Sequence, residues 1–313
     1  MKCISIIAYI LFIVSTFQLS AQQFPDLVNA KDSSRYVYTF IKGDTLLYES
    51  ISRDSILIDK QPPLLRDRKE RFLLSCDSVG PQGRMYLSQR MIDIISSEYA
   101  GISQIIDRKH HEWKNVKISF IIDSTGKRYG FSAEDSSTAM LSPGSAFQPL
   151  MLQYLGNGHH LINSGWIAED TVDVPEFGIP APMIRYLSSM RARPIFDTLD
   201  FTCSQFESTI SAQGTYQTKT QSGQQLRTNA VIAGYARMAM SETLHIPIHF
   251  FGTSENKNTM LIETSKGKAE QKVRHYVTTN ITLQKMVSKR GIYGPVPNAK
   301  SSPAKKSKIK KKR

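Results

Sequence analysis

A mainly β fold, α+β at the margin, is predicted by three observations. Leu226, Ala230, Ile232, Ala236 and Met238 share one side-chain parity, while Arg227, Asn229, Tyr235 and Arg237 share the other. Val273, Val277, Ile281 and Leu283 repeat the pattern opposite Lys272, Arg274, Thr278 and Asn280. A period of two is the signature of strands with one buried face. The connections between such runs are mostly short and polar, as antiparallel neighbours allow. The expectation is long antiparallel strands forming a curved sheet, a sandwich or a partly closed barrel, with one or two short helices.

Taken in order, residues 1–21 read as an export signal. Lys2 supplies a positive start, Ile4 to Val14 an apolar stretch too short to span a bilayer, and Leu19, Ser20 and Ala21 a small-residue cleavage site. Residues 22–288 then form a β-rich body, with a candidate division into two halves near 135–180. Tyr36 to Ile41 and Thr45 to Ile58 read as a hairpin about a Gly43-Asp44 turn. A charged run from Arg66 to Arg71 leads into a strand at Phe72 to Cys76. Ser88 to Arg108 fits two patterns: Met91, Ile95, Tyr99, Ile102 and Ile106 fall at helical spacing, and a strand ending near Tyr99 fits almost as well. Ile118, Phe120 and Ile122 alternate before a turn at Ser124 to Gly126 and a returning run, Lys127 to Phe131. The glycines and prolines of Ser136 to Gly158 indicate a loop with one helical turn at Leu150 to Leu155. Further strands are expected at Met183 to Arg191, Ile195 to Ser211, Gln225 to Met240, His245 to Phe251, Thr259 to Thr264 and Gln271 to Leu283. Asp-Ser pairs at Asp32, Asp54, Asp77, Asp123 and Asp135 read as turn punctuation, because both side chains bond nearby backbone.

The net charge of +13 is unevenly placed. From Lys289 onward there are ten Lys or Arg and no acidic residue, so the body is almost neutral. Residues 289–313 lack the apolar content for a core and read as a disordered basic tail. Lys305, Lys306, Lys308, Lys310, Lys311, Lys312 and Arg313 would be drawn to an anionic envelope surface: lipid headgroups, lipopolysaccharide or a wall polymer. Nucleic acid is a poor candidate partner, since no aromatic residue follows Tyr293 to stack on bases. An export signal makes a disulfide between Cys76 and Cys203 a candidate, and both sit on the apolar parity of strand-like runs.

Phe40, Lys42, Gly43, Asp44, Thr45 and Tyr48, with Asp123 and Gly126 in the mid-chain hairpin and Asn163, Ser164, Gly165 and Trp166 later, resemble an exported bacterial β-rich domain family of unknown function. That family has Gly, Asp, Ser, Trp where this chain has Asn163 to Trp166. The resemblance implies an antiparallel β domain in the cell envelope and carries over no catalytic residue.

Chemistry-bearing candidates are few. His245 and His249 bracket Pro247, which argues against a helix, and on a strand they stand roughly 13 Å apart, too far to share a zinc ion. The pairs His110, His111 and His159, His160 need the fold to bring them together. Glu169, Asp170, Asp173 and Glu176 offer oxygen ligands for a hard cation without the spacing of a calcium loop. There is no nucleophile elbow, no zinc-protease helix and no phosphate loop. The expectation is a periplasmic or secreted, non-enzymatic protein that binds an apolar ligand or envelope component, needs no cofactor and lacks a transmembrane segment. The alternative is a metal-dependent or hydrolytic enzyme assembled from the histidine pairs and the acidic loop.

Overall fold

The computed structural model describes residues 33–100, 105–108, 114–133, 150–156, 159–172, 183–219, 225–264 and 267–294. The chain divides into two compact units, Met1–Ser33 and Ser34–Arg313, and of the first only Ser33 is described. The first stretch supplies β1 (Ser33–Arg35), β2 (Thr45–Ile58), β3 (Leu64–Val79), β4 (Met85–Ala100) and β5 (Ile105–Arg108). The middle adds β6 (Lys117–Ile122), β7 (Arg128–Ala133), β8 (His159–Leu161) and β9 (Gly165–Val172). Long strands complete it: β10 (Met183–Thr198), β11 (Phe201–Lys219), β12 (Gln225–Ser241), β13 (Pro247–Thr264), β14 (Gly267–Ser288) and the short β15 (Gly291–Tyr293).

Thirteen of these strands form one antiparallel sheet in the order β7-β6-β4-β3-β2-β14-β13-β12-β11-β10-β9, with β5 beside β4 and β15 beside β14. The short β1 pairs with β8 in a separate ladder. Neighbours in the large sheet are neighbours in sequence almost throughout. The exception is β2 beside β14, which joins the first long strand to the last. The sheet is curved and not closed: β7 and β9 are its free edges. The mainly β expectation is thus met by long antiparallel strands, and among the described residues the only helical element is a 3-10 turn at Pro81–Gly83.

Parity decides which face is buried. On β2, Leu46, Tyr48, Ser50, Ser52 and Asp54 are all buried, while Ile51 and Arg53 are exposed. On β12, Ala230, Ile232, Ala236 and Met238 are buried and Arg227, Asn229 and Arg237 exposed, as the sequence pattern predicts. The outer face carries cross-strand ion pairs: Arg53 with Asp67 at 2.7 Å, Lys69 with Glu49 at 3.2 Å and Arg237 with Glu207 at 2.8 Å. Exposed pairs of this kind add little stability, but they mark that face as solvent-facing. One end of the inner face is packed with Tyr48, Phe72, Leu74, Phe206, Met238 and Phe250, forming a single apolar cluster.

Several segments depart from the sequence reading. Tyr36 to Phe40 is not a strand of the large sheet and makes no hairpin with β2. It crosses the inner face instead, burying Tyr36, Tyr38 and Phe40. Its groups bond several strands and turns: Tyr36 Oη donates to Gln205 O, Tyr38 N to Ser124 O and Thr39 N to His245 O. Residues 88–100 are strand, not helix, and β5 continues the pattern. The residues at helical spacing fall on both faces, Met91 buried and Ile95 and Ile106 exposed, and a register shift in which Phe72 pairs Met91 and Arg71 pairs Asp93 leaves Ile92 unmatched. One extra residue reverses the parity, so Met91 and Ile94 both point inward, three apart, without any helix. The turn expected at Leu150 to Leu155 is an irregular strap with no helical residue. At the other end β15 continues the fold past Ser288, so the basic stretch starting at Lys289 is not wholly a tail: Arg290 bonds Asp44 at 2.5 Å and the carbonyl of Leu244 at 3.1 Å.

Candidate binding site

The open edges of the sheet are linked by the strap of residues 150–156. Leu155 N donates to Thr125 O in the β6–β7 turn, and Leu155 O accepts from Trp166 Nε1 on β9, both at 2.8 Å. One residue therefore ties together the two ends of the sheet. Trp166 is held in turn by stacking on His160, with ring centroids 3.8 Å apart, and on Tyr36 at 5.4 Å. Beneath the strap, Gly126 has φ +84°, and a Cβ there would lie 2.2 Å from Gln153 O. Only glycine lets the turn and the strap approach so closely. Asp123 shapes the same turn by accepting from Thr125 N at 2.8 Å and Tyr129 Oη at 3.0 Å.

The register of the sheet sets out the inner face row by row. One row runs Glu98, Arg66, Asp54, Val277, Ser254, Gly234, Ile210, Ser188, Ala168 from β4 to β9. The next towards the apolar end runs Ser96, Arg68, Ser52, Thr279, Gly252, Ala236, Ser208, Met190, Trp166. Long charged side chains occupy the β3–β2 side and small ones the β13–β10 side.

On the charged side the long groups pair with one another. Asp54 receives Arg66 Nε at 2.8 Å, Arg68 Nη2 at 3.1 Å and a contact from His275 Nε2 at 3.3 Å. Arg68 Nη1 also donates to Glu70 at 2.7 Å. Ser50, Ser52 and Thr279 close the lower side in a triangle of hydroxyls 2.7–3.1 Å apart. Asp54 and Glu70 are both fully buried. Burial alone would raise the Asp54 pKa, but the His275 hydrogen bond and the Arg68 and Arg66 charges outweigh it and hold the carboxyl well below its usual range. At Glu70 burial wins over Arg68, and its pKa is raised. The sequence reading missed this cluster, taking Asp54 for turn punctuation. The signal was present: Asp54, Arg66, Arg68 and Glu70 lie on the same parity as Leu46, Tyr48, Phe72 and Leu74.

On the small side the strap does not fill the space above the floor. A partly open cleft with a cavity volume of about 70 Å³ lies between them. Ile210, Ile232, Gly234 and Ala236 make its floor, Leu152 and Tyr154 its roof, and Phe250 its inner end. Gly234 keeps the floor low, because a Cβ there would lie 2.8 Å from Thr253 O. Polar groups are few and placed at the walls: Gln153, Ser188, Ser254 and Asn256, with Arg128 and Asp170 from the two edge strands. Mostly apolar walls with a few convergent polar groups are what a small-molecule site presents.

Comparison of the chain with protein-family models and with curated proteins finds no match. The motif residues that carry the resemblance noted above have structural work here: Asp44 accepts Ile41 N and Arg290, Asp123 and Gly126 shape the turn under the strap, and Trp166 anchors the strap.

The other candidates do not converge on this cleft. Cys76 and Cys203 are buried free thiols on β3 and β11, strands that are not neighbours, so no disulfide joins them. Burial pushes their pKa values up, to about 11 and about 12, which keeps both thiols protonated and unreactive at neutral pH. His245 lies in the turn before β13 with φ +53°, not in the strand expected from His245 to Phe251, and His249 is one pair of strand residues further on. Burial lowers the pKa of both. On β9, Glu169 points outward to Arg185 and Asp170 inward. Among the described residues no three of His, Cys, Asp and Glu gather into a metal-holding group. His110, His111, Asp173, Glu176 and the tail residues Lys305 to Arg313 lie outside the described residues, as does the side chain of His159. No helix among the described residues is long and apolar enough to cross a membrane.

Proposed function

We propose that this protein is an exported, non-enzymatic binding protein that holds a mainly apolar ligand between the strap and the floor of β10 to β13. The observation that carries the reading is the unfilled cleft above Ile210, Ile232, Gly234 and Ala236. A folded interior is normally packed to crystal-like density, and an apolar hollow of this kind forfeits dispersion contacts unless something occupies it. The residues that open it are small by type, whereas three strands away the same rows are filled by arginine and glutamate. The basic residues from Lys305 to Arg313 would hold the loaded protein near an anionic envelope surface, an attraction that salt weakens.

Titration of the purified protein with N-phenyl-1-naphthylamine, a neutral dye that brightens in apolar surroundings, tests the reading. Saturable binding by the wild type and loss of at least tenfold in affinity in Ala236→Phe are expected. No saturable binding, or equal binding by both proteins, would refute it. For the tail, co-sedimentation with phosphatidylglycerol vesicles should fall when residues 300–313 are removed and should fall again at high salt. Recovery of a mature chain starting after Ala21 tests export.

A further inference from the structure

Gln153 is 4% exposed and stands on the strap against the cleft. Its Oε1 accepts from Ser208 Oγ on the floor at 2.8 Å, and its backbone carbonyl accepts from Tyr38 Oη at 3.1 Å. The first contact turns the amide nitrogen away from Ser208, and the second holds the strap backbone. Among the described residues Gln153 Nε2 has no hydrogen-bond partner, and neither does the Ser254 hydroxyl, which lines the same cleft. A buried donor left unmatched costs free energy, so a position of this kind favours a ligand that brings an acceptor.

The charges around the cleft decide what sort of acceptor. Arg66 and Arg68, the nearest cations on the floor side, are already held by Asp54 and Glu70. At the mouth the two edge strands contribute one basic side chain, Arg128, and one acidic, Asp170. A carboxylate or phosphate entering between apolar walls would shed its hydration with no cation in excess to receive it. An amide N–H can meet an uncharged oxygen without that cost.

We propose, building on the binding reading above, that the ligand is a neutral, largely apolar molecule carrying a carbonyl of the ester or amide class, seated with that oxygen on Gln153 Nε2. The apolar part lies along Ile210, Ile232 and Phe250. Gln153 is then the residue that separates a neutral ester from the free acid of the same chain length.

Displacement of bound N-phenyl-1-naphthylamine by methyl laurate and by laurate at pH 8 tests this. Methyl laurate should displace the dye at a concentration at least tenfold lower than laurate. Gln153→Leu should keep dye binding and raise the methyl laurate concentration needed about fivefold, the worth of one hydrogen bond. Gln153→Glu keeps an acceptor for Ser208 but replaces the donor by a carboxylate, and should lose methyl laurate while still binding the dye; it decides the case if Gln153→Leu folds poorly. Equal displacement by ester and acid, or no effect of either substitution on the ester, overturns the head-group assignment while leaving the cleft reading standing. A wild type that fails to bind the dye removes both.

Discussion

The two sides of the inner face are built on the same rows of the same sheet and are filled in opposite ways. On β3 and β2 the inward positions are Arg66, Arg68, Glu70 and Asp54, whose side chains pair with one another. On β12 and β11 the inward positions are Gly234, Ala236, Ser208 and Ile210, which leave a hollow that the strap roofs but does not fill. One side closes itself by pairing charge, and the other is held open. The backbone does not cause the difference, since the register is continuous across it; side-chain volume does.

Breaking the closed side should have the largest effect. Asp54→Asn removes the carboxylate that the buried Arg66 and Arg68 share, and loss of one partner from a buried ion pair costs about 3–5 kcal/mol. Urea unfolding of the variant should show that loss. Dye affinity measured below the transition should stay near the wild-type value, since the cleft lies on the other side.

Acid titration separates the two carboxylates of that cluster. The Asp54 pKa is depressed in the folded state, so its stabilising contribution is present above about pH 4 and fades as pH falls towards the folded value. Glu70 has the opposite sign: its folded pKa is raised, and its contribution is lost as pH rises through that value. Unfolding free energy of the wild type should therefore fall steeply below about pH 4. Asp54→Asn should flatten that acid limb, and Glu70→Gln should leave it in place.

The strap links the two sides, and Gly126→Ala should displace it. The new methyl group meets Gln153 O in a backbone conformation that alanine disfavours, for a cost of about 1–3 kcal/mol. Thermal unfolding should report the loss and dye titration a weaker cleft. The smallest effect is expected at Thr228, whose hydroxyl is buried on β12 with no hydrogen-bond partner among the described residues. Thr228→Val removes that unmatched group and should stabilise the protein by up to about 1 kcal/mol in urea unfolding.

How far the sequence foretold this can be read from particular residues. The faces of β12 and β14 followed directly from their alternation, because nothing interrupts the period there. In β4 apolar residues stand on both faces, Met91 buried and Ile95 exposed, and one unmatched residue, Ile92, shifts the parity, so neither a helical nor a strand period is clean. Tyr36, Tyr38 and Phe40 alternate like a strand, yet they are buried by crossing the sheet, and alternation alone does not separate those two ways of burying every second side chain. The cleft was harder to foresee. Alternation marked Ile232 and Ala236 as buried but not what stands above them, and the floor exists only because strand pairing places Ile210 beside Gly234 and Gly234 beside Ser254. Cys76 and Cys203 shared the buried parity, as read, but no sequence feature reported that β3 and β11 stand apart in the sheet.

Neighbouring positions on one strand give the most direct test of the binding account. Ile232 faces the cleft and Val231, 52% exposed, faces the solvent on the same strand. Dye titration of Ile232→Trp and Val231→Trp should give a loss of at least tenfold for the first and no change for the second. Equal affinities in the two variants would mean that the dye does not enter between strap and floor, and would contradict the account.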